Sequence, residues 1–358
     1  MKKIPVGILG ATGMVGQRFI TLLENHPWFE VVVLAASSRS AGKSYASAVE
    51  SRWRLNDPIP SSVKNMLVLD VVKDVKKVAA QVRLVFSALD MEKNQIKHIE
   101  EVYAGLGVAV VSNNSAHRAT NDVPMIMPEI NPEHTELISV QQKNRGFQKG
   151  FIIVKPNCSL QSYVPIIKAL EKFEPLEIEV TTLQAISGAG KTFTTWPQML
   201  DNCIPFINGE EEKTEKEPLK ILGVVKKGRL VQATIPRISA TCIRVAVADG
   251  HMASVAVKFA TKPTHEQIVS AIVEYENPIK DLQLPSAPKV FIQYFTEEDR
   301  PQTKNDRMLG LGMTISCGRF REDPLFDWKF VSLSHNTIRG AAGGAILTAE
   351  LLKAKNLL

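Results

Sequence analysis

Cysteine is scarce in this chain of 358 residues: there are four, at positions 158, 203, 242 and 317, and no C-x-x-C pair. Thiols so widely scattered argue against a disulfide framework and for a reducing compartment. The seven histidines show no H-x-x-x-H or comparable ligand spacing, so no metal site is expected. No apolar stretch approaches the ~20 residues that span a bilayer. Ile4 to Leu9, behind Lys2 and Lys3, is too short for a signal-peptide core and runs straight into glycines, so the expected location is the cytoplasm. The net charge is +6, yet there is no Arg/Lys block and no basic strip interleaved with aromatics. Nucleic acid and membrane are therefore not indicated, and the positive balance suits small phosphorylated ligands.

What is present is an ordinary globular composition, 44% hydrophobic and 22% charged, at a length that suggests two domains. Residues 1–154 alternate helical patterns with short apolar strands at Ile4–Leu9, Val31–Ala35, Met66–Leu69, Leu84–Ser87, Val108–Val111 and Phe151–Val154. This alternation predicts an α/β, doubly wound parallel sheet of the Rossmann type. Residues 155–335 carry β-rich runs at Ile178–Ile186, Cys242–Ala248, Ala253–Ala260, Val290–Tyr294, Gly310–Ser316 and Trp328–Leu333. With helical patterns at 210–226 and 263–276, they predict an α+β domain around a mixed or antiparallel sheet. The segment 336–358 is rich in Ala and Leu and predicts one helix over 336–353, returning to complete the first domain.

The first strand leads into Gly10-Ala11-Thr12-Gly13-Met14-Val15-Gly16 and then a helix ending near Glu24. Gly10 permits the tight turn, Gly13 lets the backbone approach a pyrophosphate, and Gly16 lets helix and strand pack closely. The helix start adds N–H groups for the anion. The second strand ends in Ser37-Ser38-Arg39 where an NAD site would carry an acidic residue. Hydroxyl and guanidinium donors suit a ribose 2′-phosphate, which a carboxylate would repel, so the expected cofactor is NADP.

Cys158 sits in Lys155-Pro156-Asn157-Cys158-Ser159, between the strand Phe151–Val154 and a helical pattern beginning at Ser162. A helix N-terminus favours an anion, and the expectation is a thiol drawn down from about 8.5 toward neutrality. The polar neighbours Asn157 and Ser159 argue against a merely buried, inert cysteine. The Cys158 N–H and the Asn157 side chain are natural donors to a developing oxyanion. Arg244 lies in an otherwise apolar strand, a costly place unless it meets a carboxylate, and His251 follows Gly250 at a strand junction, where an imidazole can exchange the thiol proton. Gln184 precedes Ser187-Gly188-Ala189-Gly190 and offers an orienting amide. The run from Glu210 to Lys220 reads equally well as a solvated helix face.

Together the glycine loop, Pro156-Asn157-Cys158, Gln184 with Ser187-Gly188-Ala189-Gly190, Cys242-Ile243-Arg244-Val245 with Gly250-His251, and Ser334 to Gly344 resemble the aspartate-β-semialdehyde dehydrogenase family over nearly the whole chain. Ser37-Ser38-Arg39 and Pro128-Glu129-Ile130-Asn131-Pro132 look more like its archaeal and fungal branch. Met252 departs from the family pattern, which commonly has a small residue there. The resemblance implies a second domain of the glyceraldehyde-3-phosphate dehydrogenase-like type that catalyses and dimerises, and a homodimer or homotetramer. It implies NADPH-dependent reductive dephosphorylation of 4-phospho-L-aspartate to L-aspartate 4-semialdehyde, in lysine, threonine and methionine synthesis. Cys158 would be the acylated nucleophile, His251 the acid/base and Gln184 the orienter of the acyl group. Arg244 would hold the α-carboxylate. A glutamate of the acidic run would hold the ammonium and a lysine would assist phosphate, with Glu210/Lys213, Glu217/Lys220 and Glu211 all open. Arg118 and Asn113 would contact substrate. Ser87, Ser187, Gly188 and Asn336 would join Gly10, Thr12, Gly13, Met14, Val15, Gly16, Ser37, Ser38 and Arg39 around the cofactor. The rivals are a malonyl-CoA reductase, an N-acetylglutamyl-phosphate reductase and a silent NADP-sensing module; only an amino-acid substrate calls for both a cation and an anion clamp.

Overall fold

The computed structural model describes residues 2–358. The six apolar runs expected in the first part form one parallel sheet: β1 (Ile4–Leu9), β2 (Phe29–Ala36), β3 (Val68–Asp70), β4 (Leu84–Ser87), β5 (Ala109–Ser112) and β6 (Phe151–Val154). Their order is 3-2-1-4-5-6, the doubly wound arrangement, and the switch between β1 and β4 opens a crevice at the strands' carboxyl ends. These strands read as continuous apolar runs because both faces are covered. On one face Val6, Ile8, Phe86, Val111 and Ile153 pack with helix α1 (Met14–Leu23). On the other, Val85, Val110, Ile152 and Val154 pack with α2 (Lys93–Gly105), while α3 (Leu137–Arg145) contributes Gln141, whose amide pairs with the Ile152 backbone.

The nucleophile turn leaves β6 and enters α4 (Leu160–Ala169). The second sheet follows: β7 (Pro175–Gln184), β10 (Arg237–Arg244), β11 (His251–Phe259), β12 (Ile292–Phe295), β13 (Ile315–Glu322) and β14 (Trp328–Ser334), in the order β10-β7-β11-β14-β13-β12. It is mixed, as expected: β10 runs parallel to β7 and β12 to β13, and the remaining pairs are antiparallel. The inward face packs on α4 and α6 (His265–Val273) in a hydrophobic core continuous with that of the first sheet. Helix α5 (Glu210–Ile221) lies along the edge strand β10, where Glu211 and Glu215 accept the Cys242 and Ala240 N–H groups. Those carboxylates cap an edge that would otherwise present free donors.

Four expectations need correction, the first being the strand expected over Cys242–Ala248, because β10 starts earlier, at Arg237, and ends at Arg244. The helix expected over 210–226 stops at Ile221, because Gly223 packs against a small hairpin of β8 (Val224–Lys226) and β9 (Arg229–Val231). The strand expected at 310–316 begins only at Ile315, since Gly310 and Leu311 take positive φ in a turn. The expected single helix at 336–353 is a π-helical turn, Ile338–Ala342, followed by α7 (Gly343–Ala354). Helix α7 packs beside α1 on the first sheet, burying Ile346, Leu347, Leu351 and Leu352.

Inside the π turn, Arg339 points into the protein and forms a forked ion pair with Glu129, both fully buried. Its guanidinium also lies 5.0 Å from the Phe291 ring centroid. Removing one member of a buried pair strands a charge at about 3–5 kcal/mol. Glu129→Ala should therefore lower unfolding stability by about 3 kcal/mol or more in urea titration, whereas a loss under about 1 kcal/mol would mean that the pair anchors nothing.

Candidate active site

Where β1 ends, Gly10 adopts φ +83, and a Cβ there would stand 2.2 Å from the Ala88 carbonyl oxygen. A Cβ on Gly16 would stand 2.3 Å from the Gly10 oxygen, whereas Gly13 faces open space, with Gly10 O 3.6 Å away. The first two glycines thus close the turn and the third leaves its mouth free, as an approaching diphosphate needs. The cleft, about 290 Å³, is lined by Gly10, Thr12, Gly13, Met14, Ser37 and Arg39, and also by Arg52 and Arg54. Ser38 is exposed outside it, and Val15 and Gly16 sit behind the turn rather than on its lining. Ser87 is buried and accepts a hydrogen bond from Asn114.

The second constellation forms at the ends of β6, β7, β10 and β11. Cys158 keeps part of its surface open, two residues before α4. Asn157 shapes the turn: its Oδ1 accepts the Ser159 N–H at 2.8 Å, and its Nδ2 stands 3.0 Å from both oxygens of Glu210. The side chain expected to serve an oxyanion is thus engaged with a carboxylate. Gln184 Nε2 also donates to Glu210, at 3.3 Å, and Lys213 Nζ does so at 2.7 Å. Burial alone would raise Glu210, but the Lys213 charge and these hydrogen bonds outweigh it and hold the carboxyl below its ordinary range.

Arg244, directly beside Gln184 in the sheet, donates to the Ala185 carbonyl at 2.7 Å. It is buried, with no carboxylate at ion-pair distance among the described residues. His251 is fully buried; its Nδ1 accepts the Ala185 N–H at 3.1 Å and its Nε2 has no partner. The two side chains converge over Gly188, where a Cβ would stand 2.9 Å from Arg244 Nη1 and 3.1 Å from His251 Nε2. Burial, then the Arg244 charge, push His251 down to about 3, so the resting ring is neutral.

The resting thiol corrects the expectation drawn from the helix start. Burial and the Glu210 charge push Cys158 up to about 11, against the pull of Lys155, Arg118 and Arg244. No hydrogen bond joins Cys158 to His251, whose Nε2 stands free.

The structure separates the competing glutamates. Only Glu210 reaches Asn157, Gln184 and Lys213 together. Glu217 instead accepts the Asn157 backbone N–H at 2.7 Å and pairs with Arg118 at 3.0 Å. Lys220 spends its ammonium on the Arg118, Thr120 and Val123 carbonyls. Glu211 caps β10, so Lys220, Glu211 and Glu217 are each engaged with backbone groups here, while Glu210 binds side chains alone. Arg118 is largely tied down, by the Lys155 and Asn113 carbonyls and by Glu217. Asn113 Nδ2, buried, has no partner. Asn336 bridges the Gly250 N–H and Ser187 Oγ, both at 2.8 Å, holding two site loops together.

Sequence reasoning missed Lys155, a fully enclosed amine whose charge acts on the thiol, and Gly340, where a Cβ would stand 2.8 Å from that of Cys158. A lysine closing an apolar strand was the available signal for the first; nothing local marked the second.

Two family models match: semialdehyde dehydrogenase, NAD binding domain, over residues 5–138, and semialdehyde dehydrogenase, dimerisation domain, over residues 165–339. An aspartate-semialdehyde dehydrogenase of Archaeoglobus fulgidus is 43% identical over 97% of both chains. The Saccharomyces cerevisiae enzyme of that name is 44% identical over 100% of this chain and 99% of its own. Among solved structures, the Candida albicans aspartate semialdehyde dehydrogenase with NADP superposes with a TM-score of 0.88 at 42% identity, covering 100% of both chains. The Vibrio cholerae aspartate semialdehyde dehydrogenase II gives 0.74 at 26% identity, over 98% of this chain and 99% of that one.

A thiol near 11 has a thiolate fraction that grows about tenfold per pH unit below that value. Alkylation of Cys158 by iodoacetamide in the free protein, read on the Cys158 peptide to set exposed Cys203 aside, should climb from about pH 7 to about pH 10 without levelling. A plateau below about pH 8 would show that burial does not govern this thiol.

Proposed function

This chain belongs to the aspartate-semialdehyde dehydrogenase family, and on that premise we propose how its residues carry the reaction between L-aspartate 4-semialdehyde, phosphate and NADP, and 4-phospho-L-aspartate and NADPH. The observation that carries the reading is a guanidinium with no carboxylate partner, Arg244, and an ionised carboxylate, Glu210, both acting on the same cysteine. That is a receptor for an amino acid: Arg244 takes the α-carboxylate as a fork, and Glu210 takes the ammonium. A malonyl thioester has no ammonium for Glu210, and the malonyl-CoA reductase alternative finds no support among the relatives described above.

Cys158 attacks the aldehyde carbon to give a thiohemiacetal. Nε2 of His251 is the atom that serves the reacting oxygen, because the Ala185 N–H holds Nδ1. NADP fits the first cleft, whose open Gly13 mouth and uncompensated arginines suit a phosphorylated dinucleotide, and it would be held by Gly10, Thr12, Gly13, Met14, Ser37 and Arg39. When bound, it supplies the hydride acceptor that turns the thiohemiacetal on Cys158 into a thioester. Gln184 orients the acyl group, Lys213 and the unpartnered Asn113 amide draw in phosphate, and attack by phosphate releases the acyl phosphate and the thiolate.

A bound zwitterion also retunes the site. Glu210 acts on the thiol more strongly than Arg244 does, while Arg244 acts on His251 more strongly than Glu210 does. Neutralising both lowers Cys158, favouring the thiolate that attacks the aldehyde, and raises His251, whose neutral ring carries its proton on Nε2, the nitrogen that can donate to the reacting oxygen. The domain division follows the two sheets, residues 1–154 with α7 and residues 155–335, and the matched dimerisation domain supports a homodimer or homotetramer built on the second sheet.

Cys158→Ala should abolish turnover with aspartate semialdehyde, phosphate and NADP; wild-type turnover in that variant would sink the covalent route. Arg244→Lys keeps the charge and loses the fork, so the KM for aspartate semialdehyde should rise about tenfold or more. An unchanged KM would reassign the carboxylate clamp.

A further inference from the structure

Arg52 and Arg54 belong to a segment that no glycine-loop or second-strand motif includes, yet both line the first cleft together with Arg39. Two side chains fix the segment to the phosphate turn. Buried Gln17, on α1, donates to the Thr12 carbonyl at 3.0 Å and to the Arg52 carbonyl at 2.7 Å, and accepts the Arg54 N–H at 2.8 Å. The Tyr45 hydroxyl, earlier in the same segment, donates to the Ala11 carbonyl at 2.9 Å. The turn and the arginine segment are therefore tied to each other through Gln17 and Tyr45.

The guanidinium groups themselves are only partly used. Arg52 Nη2 holds Ser40 Oγ at 3.0 Å and the Ala48 carbonyl, which places it next to Arg39 at the end of β2. Arg54 Nη1 donates to the Ser51 carbonyl at 3.1 Å. No carboxylate stands at ion-pair distance from Arg39, Arg52 or Arg54 among the described residues, and Asp90 is the one acid on the cleft wall. Three cations lining one cleft, with no carboxylate counter-ion at ion-pair distance, match a dianionic phosphate monoester better than a singly charged phosphodiester.

We propose that Arg52 and Arg54 complete, with Arg39, the receptor for the 2′-phosphate of the cofactor's adenosine and so set the choice of NADP over NAD. This rests on the NADP reading above and adds to it the residues that decide between the two dinucleotides. Arg52 is tethered by Ser40, the residue after Arg39, and the Arg54 backbone is held by Gln17.

The test uses fragments that need no chemistry: adenosine 2′,5′-bisphosphate carries the monoester, and adenosine 5′-diphosphate carries only the diphosphate. Their affinities are measured by calorimetry on the full chain and on Arg54→Gln, Arg54→Lys and Arg52→Gln, with circular dichroism to confirm folding. Each glutamine variant should lose about tenfold to a hundredfold for the 2′-phosphorylated fragment and leave 5′-diphosphate binding unchanged, as expected of a lost charge-assisted hydrogen bond. Arg54→Lys should fall between. Equal losses for both fragments would place these arginines on the diphosphate and overturn the proposal, as would no loss in either glutamine variant. If the unaltered protein itself fails to prefer the 2′-phosphorylated fragment, the NADP reading fails first, and the two failures are distinct. Should Arg52→Gln unfold through loss of its Ser40 and Ala48 contacts, Arg54→Gln alone decides, since Arg54 makes only one local side-chain bond.

Discussion

A buried carboxylate kept ionised beside a thiol is the constraint on which this active site depends. Glu210 stays charged because Lys213, Asn157 and Gln184 all donate to it. Burial and then that charge disfavour the thiolate in the resting protein, against the pull of Lys155, Arg118 and Arg244. The supporting structure answers to the same carboxylate. Asn157 directs its amide nitrogen at it, and Glu217, two helical turns on along α5, accepts the Asn157 backbone N–H and fixes the turn that bears the nucleophile. Arg118 and Lys220 then fasten that turn and its helix to the loop after β5.

Much of the fold was legible because its signals are local. Leu84–Ser87 and Phe151–Val154 match the observed strands residue for residue, being short apolar runs bounded by polar or proline-containing turns. The glycine turn was legible for the same reason, with the clashes that a Cβ would meet at Gly10 and Gly16 giving two of its three glycines their places. What failed depended on distant partners. The helix expected to continue to residue 226 halts because Gly223 must pass within 2.6 Å (to its would-be Cβ) of the Val231 oxygen. A pattern of apolar residues at 310–316 says nothing of the left-handed turn at Gly310 and Leu311.

The site divides along the same line. Residue types named Cys158, Arg244 and His251 from sequence, and the structure brings all three under the influence of Glu210. The direction of the thiol shift was not readable, because a helix start is visible in sequence while the amount of protein packed around a sulfur is not. The choice between Glu210 and Glu217 was equally closed. Seven residues apart on one helix, they share a face, and only the position of α5 along β10 shows which reaches Gln184 and which reaches the backbone.

The last feature concerns order in time. The face of the first sheet formed by Val6, Ile8, Phe86 and Val111 is closed by α7, and the whole second sheet is encoded between the two. On a ribosome, the early strands emerge long before the helix that covers them. They must either wait with an oily face open to chaperones, or hold it loosely closed with α1 until the π turn delivers Gly340 against Cys158 and α7 into its groove. The turn that leads into the last helix of the nucleotide domain is therefore also the one that packs Gly340 against the nucleophile.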